Sequence, residues 1–104
     1  MTGIGRSSDG LDLRRRRLLF RSWHRGMREM DLIMGRFADA RIETLDEASL
    51  EDYERLIDVP DPDLYAWIFG NEPVPASFDT PLLRAMRAFQ HNGSERADAD
   101  GGEA

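Results

Sequence analysis

The chain has 104 residues, enough for one small domain that buries roughly 60–70% of the surface its unfolded chain would expose. It contains no cysteine, which excludes disulfides and thiolate metal sites, and no apolar run approaches the ~20 residues of a membrane span. The net charge of −6 is unevenly distributed, with +5 up to Met30 and −11 after it. This distribution suits orientation against a partner by charge, whereas the net negative charge argues against general nucleic-acid binding.

The first part of the chain predicts a disordered lead-in followed by two helices. Residues 1–10 are rich in glycine and serine and show neither a secretory signal nor a transit peptide, so we expect a cytoplasmic protein without direct membrane insertion. Helix formers dominate from Asp12 to His24, and the aspartate favours the helix start. Gly26 then predicts a turn, and a second helix follows from about Met27 to Ala40. Gly35 within that helix predicts the close approach of a neighbouring helix.

The third helix is predicted by a capping signal and a proline. The segment Thr44-Leu45-Asp46-Glu47 fits a capping box, in which the threonine and the glutamate each satisfy a free backbone amide. The helix begins there and ends before Pro60, because the residue before a proline is pushed out of the helical region. Apolar residues recur at helical spacing on its predicted buried face: Leu50, Tyr53, Leu56 and Ile57.

The fourth and fifth helices share a start signal, a capping residue followed by proline at the first helical position. Asp61 caps the predicted helix from Pro62 to Phe69, and Thr80 caps the predicted helix from about Pro81 to Gln90. Residues 91–104 contain no large apolar residue and are predicted to form a disordered acidic tail.

The predicted domain spans residues 11–90 and is all-α, a small five-helix bundle with disordered N- and C-terminal tails. Its sequence offers no convincing catalytic set. Neither His24 nor His91 has the local spacing of a metal site, so no metal is expected, and no serine stands in a nucleophile motif. Carboxylates are abundant, and at these spacings they are typical of solvated helix faces. We therefore do not expect an enzyme.

The run from Arg14 to Arg17 is the strongest basic cluster, and four consecutive arginines could bind RNA or an anionic membrane. The run spans more than one helical turn, so its side chains point around the helix, and no aromatic residues interleave with them as a stacking platform. Docking to an acidic protein surface, or simple solvation of a short amphipathic helix, fits the run better.

The stretch Arg25-Gly26-Met27-Arg28-Glu29 lies between the first two helices and is the candidate functional segment. If the second helix is extended back to Arg25, Gly26 falls beside the core stripe and allows the two helices to close tightly. An adjoining outer face then carries charged residues around a leucine and resembles a small docking patch: Arg25, Glu29, Leu32 and Arg36. The alternative is that Arg25 and Glu29 merely form an i,i+4 ion pair worth ~0.2–0.5 kcal/mol.

At these residues the sequence resembles the succinate dehydrogenase assembly factor family, the small flavinylation factors of bacteria and mitochondria. The family signature R-G-x-x-E here reads Arg25-Gly26-Met27-Arg28-Glu29. The similarity covers about Leu13 to Phe89 and continues in five segments: Arg17-Leu18-Leu19-Phe20, Glu29-Met30-Asp31, Tyr53-Glu54-Arg55-Leu56-Ile57, Pro60-Asp61-Pro62-Asp63-Leu64-Tyr65-Ala66-Trp67 and Pro73-Val74-Pro75.

The resemblance implies a domain that binds the flavoprotein subunit of succinate dehydrogenase, or of fumarate reductase, and promotes covalent attachment of FAD to a histidine of that subunit. FAD is then the cofactor of the partner, and we expect this chain to bind no cofactor stably and to be a monomer. The motif residues implied are Arg25, Gly26 and Glu29, with neighbours in the contact at Met27, Arg28 and Asp31. From the helical projection we add two residues to the partner-binding surface: Leu32 and Arg36.

Two other classes of function stay open at this point. The family has also been described as antitoxin-like, which would make the chain an inhibitory binding module. The arginine run from Arg14 to Arg17 leaves an RNA-binding adaptor as a further possibility, although we expect no nucleic acid as a partner.

Overall fold

The computed structural model of the chain describes residues 9–70 and 72–103, and the side chains among them up to Asn92. Within these ranges five α-helices follow one another: α1 Leu13–Trp23, α2 Arg28–Arg41, α3 Glu47–Leu56, α4 Asp61–Phe69 and α5 Pro81–Glu103. Short 3₁₀ turns lie at Ile42–Thr44 and Ala76–Phe78. The described residues contain no strand, so the predicted all-α, five-helix fold is confirmed.

Two predicted helix starts and one predicted end are confirmed by their caps. The Asp12 carboxylate accepts a hydrogen bond from the backbone amide of Arg15 at 2.8 Å, and this bond lowers the pKa of Asp12 below its usual value. The Thr80 hydroxyl accepts the Leu83 amide at 3.2 Å at the start of α5. Gly70 ends α4, as predicted.

The predicted capping box of α3 is wrong. The helix begins at Glu47, and the cap is Asp46, whose carboxylate accepts the Ser49 amide at 2.9 Å. Thr44 belongs to the preceding 3₁₀ turn, where its hydroxyl donates to the carbonyl of Arg41 at 3.2 Å. Asp46 has the extended backbone of a cap position, which directs its side chain to the first free amides of the helix.

The predicted cap of α4 is also wrong. The cap position is Pro60, which forms no side-chain hydrogen bond, and Asp61 is the first residue of the helix. Its carboxylate binds the side chain of Arg25 from the α1–α2 loop, 36 residues earlier in the chain. The Asp61 carboxylate, which the local sequence predicts as the helix cap, therefore accepts from the distant guanidinium of Arg25 instead.

The fifth helix continues to Glu103, so the predicted end near Gln90 is too early. The apolar spacing that defines the prediction ends at Phe89, whereas the alanine, glutamate and arginine residues beyond it are compatible with a helix. The predicted lead-in lies outside the described residues as far as residue 8, and the division of the chain into residues 1–10, 11–90 and 91–104 stays a prediction.

The core is formed by the apolar faces of all five helices. The predicted core residues are buried, except that Trp67 and Phe89 are partly buried and pack against the core. The buried members of the predicted set are Leu18, Leu19, Trp23, Met30, Ile33, Met34, Phe37, Leu50, Tyr53, Leu56, Ile57, Leu64, Ile68, Leu82, Leu83 and Met86.

α1 and α2 approach closely where Gly35 faces Trp23. A Cβ atom built on Gly35 would lie 2.6 Å from Cε3 of the Trp23 indole, well inside van der Waals contact. The indole Nε1 donates to Oδ1 of Asp39 at 3.0 Å, which fixes the ring against α2. The predicted close approach at Gly35 is confirmed, and it sets the separation of the two helices that flank the candidate segment.

Arginines of the run at the start of α1 bind other residues of the same domain. Arg14 binds two glutamates of α3 at 2.6 and 2.8 Å, and these bonds raise its pKa above the usual value. Arg15 donates to two backbone carbonyls between α2 and α3, at 2.9 and 2.5 Å, and Arg16 donates to the carbonyl of Leu11 at 3.0 Å. Arg14 and Arg15 therefore fasten α1 to its neighbours, and the side chains of Arg14, Arg15 and Arg16 point in different directions as predicted.

Candidate functional site

The loop between α1 and α2 takes its shape from Gly26. This residue has φ of +105°, a conformation that residues with a side chain rarely adopt. A Cβ atom there would meet no atom within 4 Å, so the predicted role of Gly26 in helix packing is wrong. The prediction assumed a helix at this position, whereas α2 begins at Arg28, and the close approach of the two helices occurs at Gly35 instead.

The Arg25 side chain joins this loop to the junction between α3 and α4. Its guanidinium forms an ion pair with Asp61 at 2.7 Å and donates to the backbone carbonyls of Ile57 and Val59, the latter at 2.7 Å. The Arg25 side chain is 9% exposed and that of Asp61 14%. Two carbonyls of the segment between α3 and α4 thereby gain a hydrogen-bond donor.

The loop is also fixed from the side of α2. The backbone amide of Arg25 donates to Oδ1 of Asp31 at 2.5 Å, and the amide of Asp31 donates to the carbonyl of Met27 at 2.9 Å. Glu29 and Asp31 lie in the first turn of α2, where negative charge is favoured by the helix dipole. The candidate segment is therefore a rigid turn that leads directly into a helix.

The outer face predicted by helical projection does not form. Arg25 precedes α2 and points toward α4, so it neither shares a face with Glu29 nor pairs with it. Leu32 is partly buried and packs against the core. Arg28, Glu29 and Arg36 are exposed, and their side chains make no hydrogen bond or ion pair with any residue whose side chain the structure describes. Their roles as partner-binding residues stay predictions.

An apolar groove, here called the α2–α4 groove, lies beside the start of α2. It has a volume of about 380 Å³ and is lined by Met27, Glu29, Met30, Asp61, Pro62 and Tyr65. The Met27 side chain is 47% exposed and that of Tyr65 is 42% exposed. Phe69, also 41% exposed, packs on Tyr65 with ring centroids 5.0 Å apart.

Sequence reasoning missed this groove. The α4 residues Pro62, Tyr65 and Phe69 recur at i, i+3 and i+7 and therefore mark one helix face. The prediction considered only the opposite, inward face of α4. That outward spacing, in a helix next to the candidate segment, is the signal that could have identified the groove.

A polar cleft of about 340 Å³ lies on the other side of Arg25, between the end of α1 and the α3–α4 junction. Arg21 in this cleft pairs with Asp58 at 2.7 Å. His24 stacks on Phe20 with ring centroids 3.9 Å apart. Both arginines that line the cleft are thus bound to carboxylates.

Among the described residues, no group of three or more histidine, aspartate and glutamate side chains is arranged to hold a metal ion. No helix in the described part of the chain is long and apolar enough to cross a membrane. Three features face outward at the candidate segment: a fixed turn, the α2–α4 groove and the Glu29 carboxylate, which no described side chain binds. This arrangement is suited to contact with another macromolecule.

Comparison with known proteins identifies the same part of the chain. A family described as the flavinator of succinate dehydrogenase matches residues 16–90. The FAD assembly factor SdhE of Acetobacter pasteurianus is 44% identical over 82 residues, which are 79% of this chain and 75% of that protein.

Mitochondrial relatives are also similar. Succinate dehydrogenase assembly factor 2 of Dictyostelium discoideum is 42% identical over 73 residues, 70% of this chain and 52% of that protein. Its counterpart in Danio rerio is 34% identical over 98 residues, 90% of this chain and 62% of that protein. The aligned part of the chain thus spans three quarters of the bacterial relative and a smaller share of these mitochondrial ones. Because the family match covers most of the chain, including the α1–α2 loop and α4, the chain belongs to the family of succinate dehydrogenase flavinators.

Proposed function

We propose that this protein binds the flavoprotein subunit of succinate dehydrogenase and promotes the covalent attachment of FAD to that subunit. The observation that carries the proposal is the fixed turn at Arg25 to Glu29, which presents an exposed carboxylate that no described side chain binds, in a chain that belongs to the flavinator family. The FAD assembly factor SdhE of Acetobacter pasteurianus supports it through its sequence identity over the same region.

The five motif residues divide into two roles in this proposal. Arg25 is a positioning residue, because its guanidinium is bound to Asp61 and to the α3–α4 junction. Gly26 permits the turn, and Met27, Arg28 and Glu29 are the exposed residues that contact the flavoprotein. Asp31 holds the loop through the Arg25 amide.

The protein acts as a binding partner and not as an enzyme in this proposal. It holds the flavoprotein in a conformation in which the groups of that subunit attach FAD to their own histidine, so FAD remains the cofactor of the partner. We further propose that the protein acts in the same way on the flavoprotein subunit of fumarate reductase. We also propose that it is a monomer when no partner is bound. A cytoplasmic location stays a prediction that cell fractionation would test.

Two alternative functions receive less support. An RNA-binding adaptor needs free arginines at the start of α1, but Arg14, Arg15 and Arg16 are bound within the domain. An antitoxin-like module would need a toxin as its partner, whereas the relatives described above are named as assembly factors.

The proposal can be tested by complementation of a bacterial strain that lacks its own assembly factor. Covalent flavin in the dehydrogenase is measured by in-gel fluorescence. We expect wild type to restore the signal and Glu29→Ala to abolish or greatly reduce it, because the exposed carboxylate contacts the flavoprotein.

Glu51→Ala is the matched control, since Glu51 is an exposed glutamate on α3, away from the motif. It should restore the flavin signal as wild type does. Full flavinylation with Glu29→Ala would remove Glu29 from the contact. Failure of wild type to restore any signal, with the protein present and folded, would contradict the proposed function itself.

A further inference from the structure

Residues outside the motif form part of the α2–α4 groove. Its walls include Met30 from α2 and Pro62 and Tyr65 from α4. Phe69, which packs on Tyr65, adds to the exposed apolar surface of α4 beside the groove. Exposed apolar side chains that adjoin one another are typical of interaction surfaces, and a tyrosine supplies a large contact area together with a polar tip.

The groove also has a defined charge. Two carboxylates line it, and Asp61 is neutralised by its ion pair with Arg25. Glu29 makes no ion pair among the residues whose side chains are described, so its negative charge is uncompensated. An apolar groove with one free carboxylate is complementary to an apolar side chain that has a lysine or arginine beside it.

We propose that the α2–α4 groove extends the flavoprotein contact surface beyond the motif, and that it binds a segment of that subunit in which an apolar side chain adjoins a basic residue. The apolar side chain enters between Met27 and Tyr65, and the basic residue pairs with Glu29. This inference rests on the proposed function and adds to it the residues Tyr65 and Pro62 and the chemistry of the bound segment.

The geometry explains why the motif turn and the groove act together. Arg25 fixes the α1–α2 loop to the first residue of α4 through Asp61, so Met27 on the loop and Tyr65 on α4 line the same groove. A partner that contacts Glu29 therefore meets the α4 face in the same event. The surface is preformed, which reduces the conformational entropy that binding would cost.

The test measures binding of the full chain to purified flavoprotein that lacks covalent FAD, taken from a strain without an assembly factor. We expect Tyr65→Ser to weaken binding about 10-fold or more, as truncation of an aromatic contact residue commonly does. Leu13→Ser, which removes an exposed apolar side chain at the start of α1, away from the groove, should leave Kd within about 2-fold of wild type. Circular dichroism shows whether each variant remains helical.

A photo-crosslinking residue in place of Tyr65 identifies the bound segment directly. We expect a crosslinked flavoprotein peptide that contains an apolar residue next to lysine or arginine, and no crosslink from the same probe at Leu13. The inference would be overturned if Tyr65→Ser bound the flavoprotein with the same Kd as wild type, or if the crosslinked peptide contained no basic residue. The proposed function would stand in either case. If wild type binds no flavoprotein, the proposed function fails first and this inference fails with it.

Discussion

The guanidinium of Arg25 and the carboxylate of Asp61 form a largely buried ion pair at 2.7 Å that links the α1–α2 loop to the start of α4. The first residue of the segment Arg25 to Glu29 thus belongs to the framework of the domain. Its partner lies 36 residues further along the chain.

This pair predicts a large loss of stability for Asp61→Asn. The substitution leaves the Arg25 cation in a mostly buried position without its counter-charge, and we expect the free energy of unfolding to fall by about 3 kcal/mol. Urea denaturation followed by circular dichroism measures the change. Arg21→Ala is the control, because it removes an ion pair of equal length whose two side chains are 51% and 69% exposed. It should cost about 0–1 kcal/mol. Equal losses for the two variants would contradict the structural role of Asp61.

A second prediction concerns Gly35→Ala. The added methyl group overlaps the Trp23 indole, so we expect a loss of about 1–3 kcal/mol from overpacking. A double-mutant cycle with Trp23→Phe checks the cause, since the smaller ring leaves room for the methyl group and should recover part of the loss. Strictly additive effects of the two substitutions would show that the glycine and the indole are not coupled.

Gly26 should respond to substitution in a different way. Gly26→Ala places a side chain at φ of +105° but meets no neighbouring atom, so we expect a loss of stability of about 1–2 kcal/mol from backbone strain alone. Gly26→Arg adds a long cation to the exposed turn and should greatly reduce flavinylation while the domain stays helical. Thermal unfolding and in-gel flavin fluorescence separate the two effects. Gly26→Arg with normal flavinylation would contradict the position of the turn in the contact surface.

The cap of α3 predicts a dependence of stability on pH. The hydrogen bond from the Ser49 amide lowers the pKa of Asp46 in the folded protein below its usual value of 3.8. The carboxylate therefore adds stability above that value, and this contribution is lost as the pH falls through the folded pKa. Asp46→Asn keeps a capping oxygen but does not titrate. We expect the difference in Tm between pH 7 and about pH 3 to be smaller in Asp46→Asn than in wild type. An unchanged difference would contradict the cap.

Helical periodicity and local caps were sufficient to predict most of the fold. The apolar faces of the helices, the Asp12 and Thr80 caps and the close approach at Gly35 all depend on residues near each other in the sequence. Thr44 and Asp46 could each accept a hydrogen bond from the first free amides of α3, and the capping-box motif predicts the wrong one of the two. The backbone conformation decides between them, and it is set by the 3₁₀ turn.

The candidate site was less predictable, because its arrangement depends on distant contacts. No local pattern around Arg25 indicates that its side chain binds Asp61 and carbonyls of the α3–α4 junction. The helical projection therefore assigned it to the surface. Tyr65 is missed for a different reason. It lies on the outward face of the nine-residue helix α4, whereas the prediction considers only the inward face.

The buried position of Arg25 has a consequence for living cells. Protein quality control removes chains that unfold more often, so a stability loss of a few kcal/mol lowers the amount of protein present. Arg25 variants should therefore be scarce, because proteases degrade them. Glu29 variants should accumulate to normal levels and still fail to support flavinylation. Two substitutions within one five-residue segment would thus produce the same deficiency by different routes, and an immunoblot would distinguish them.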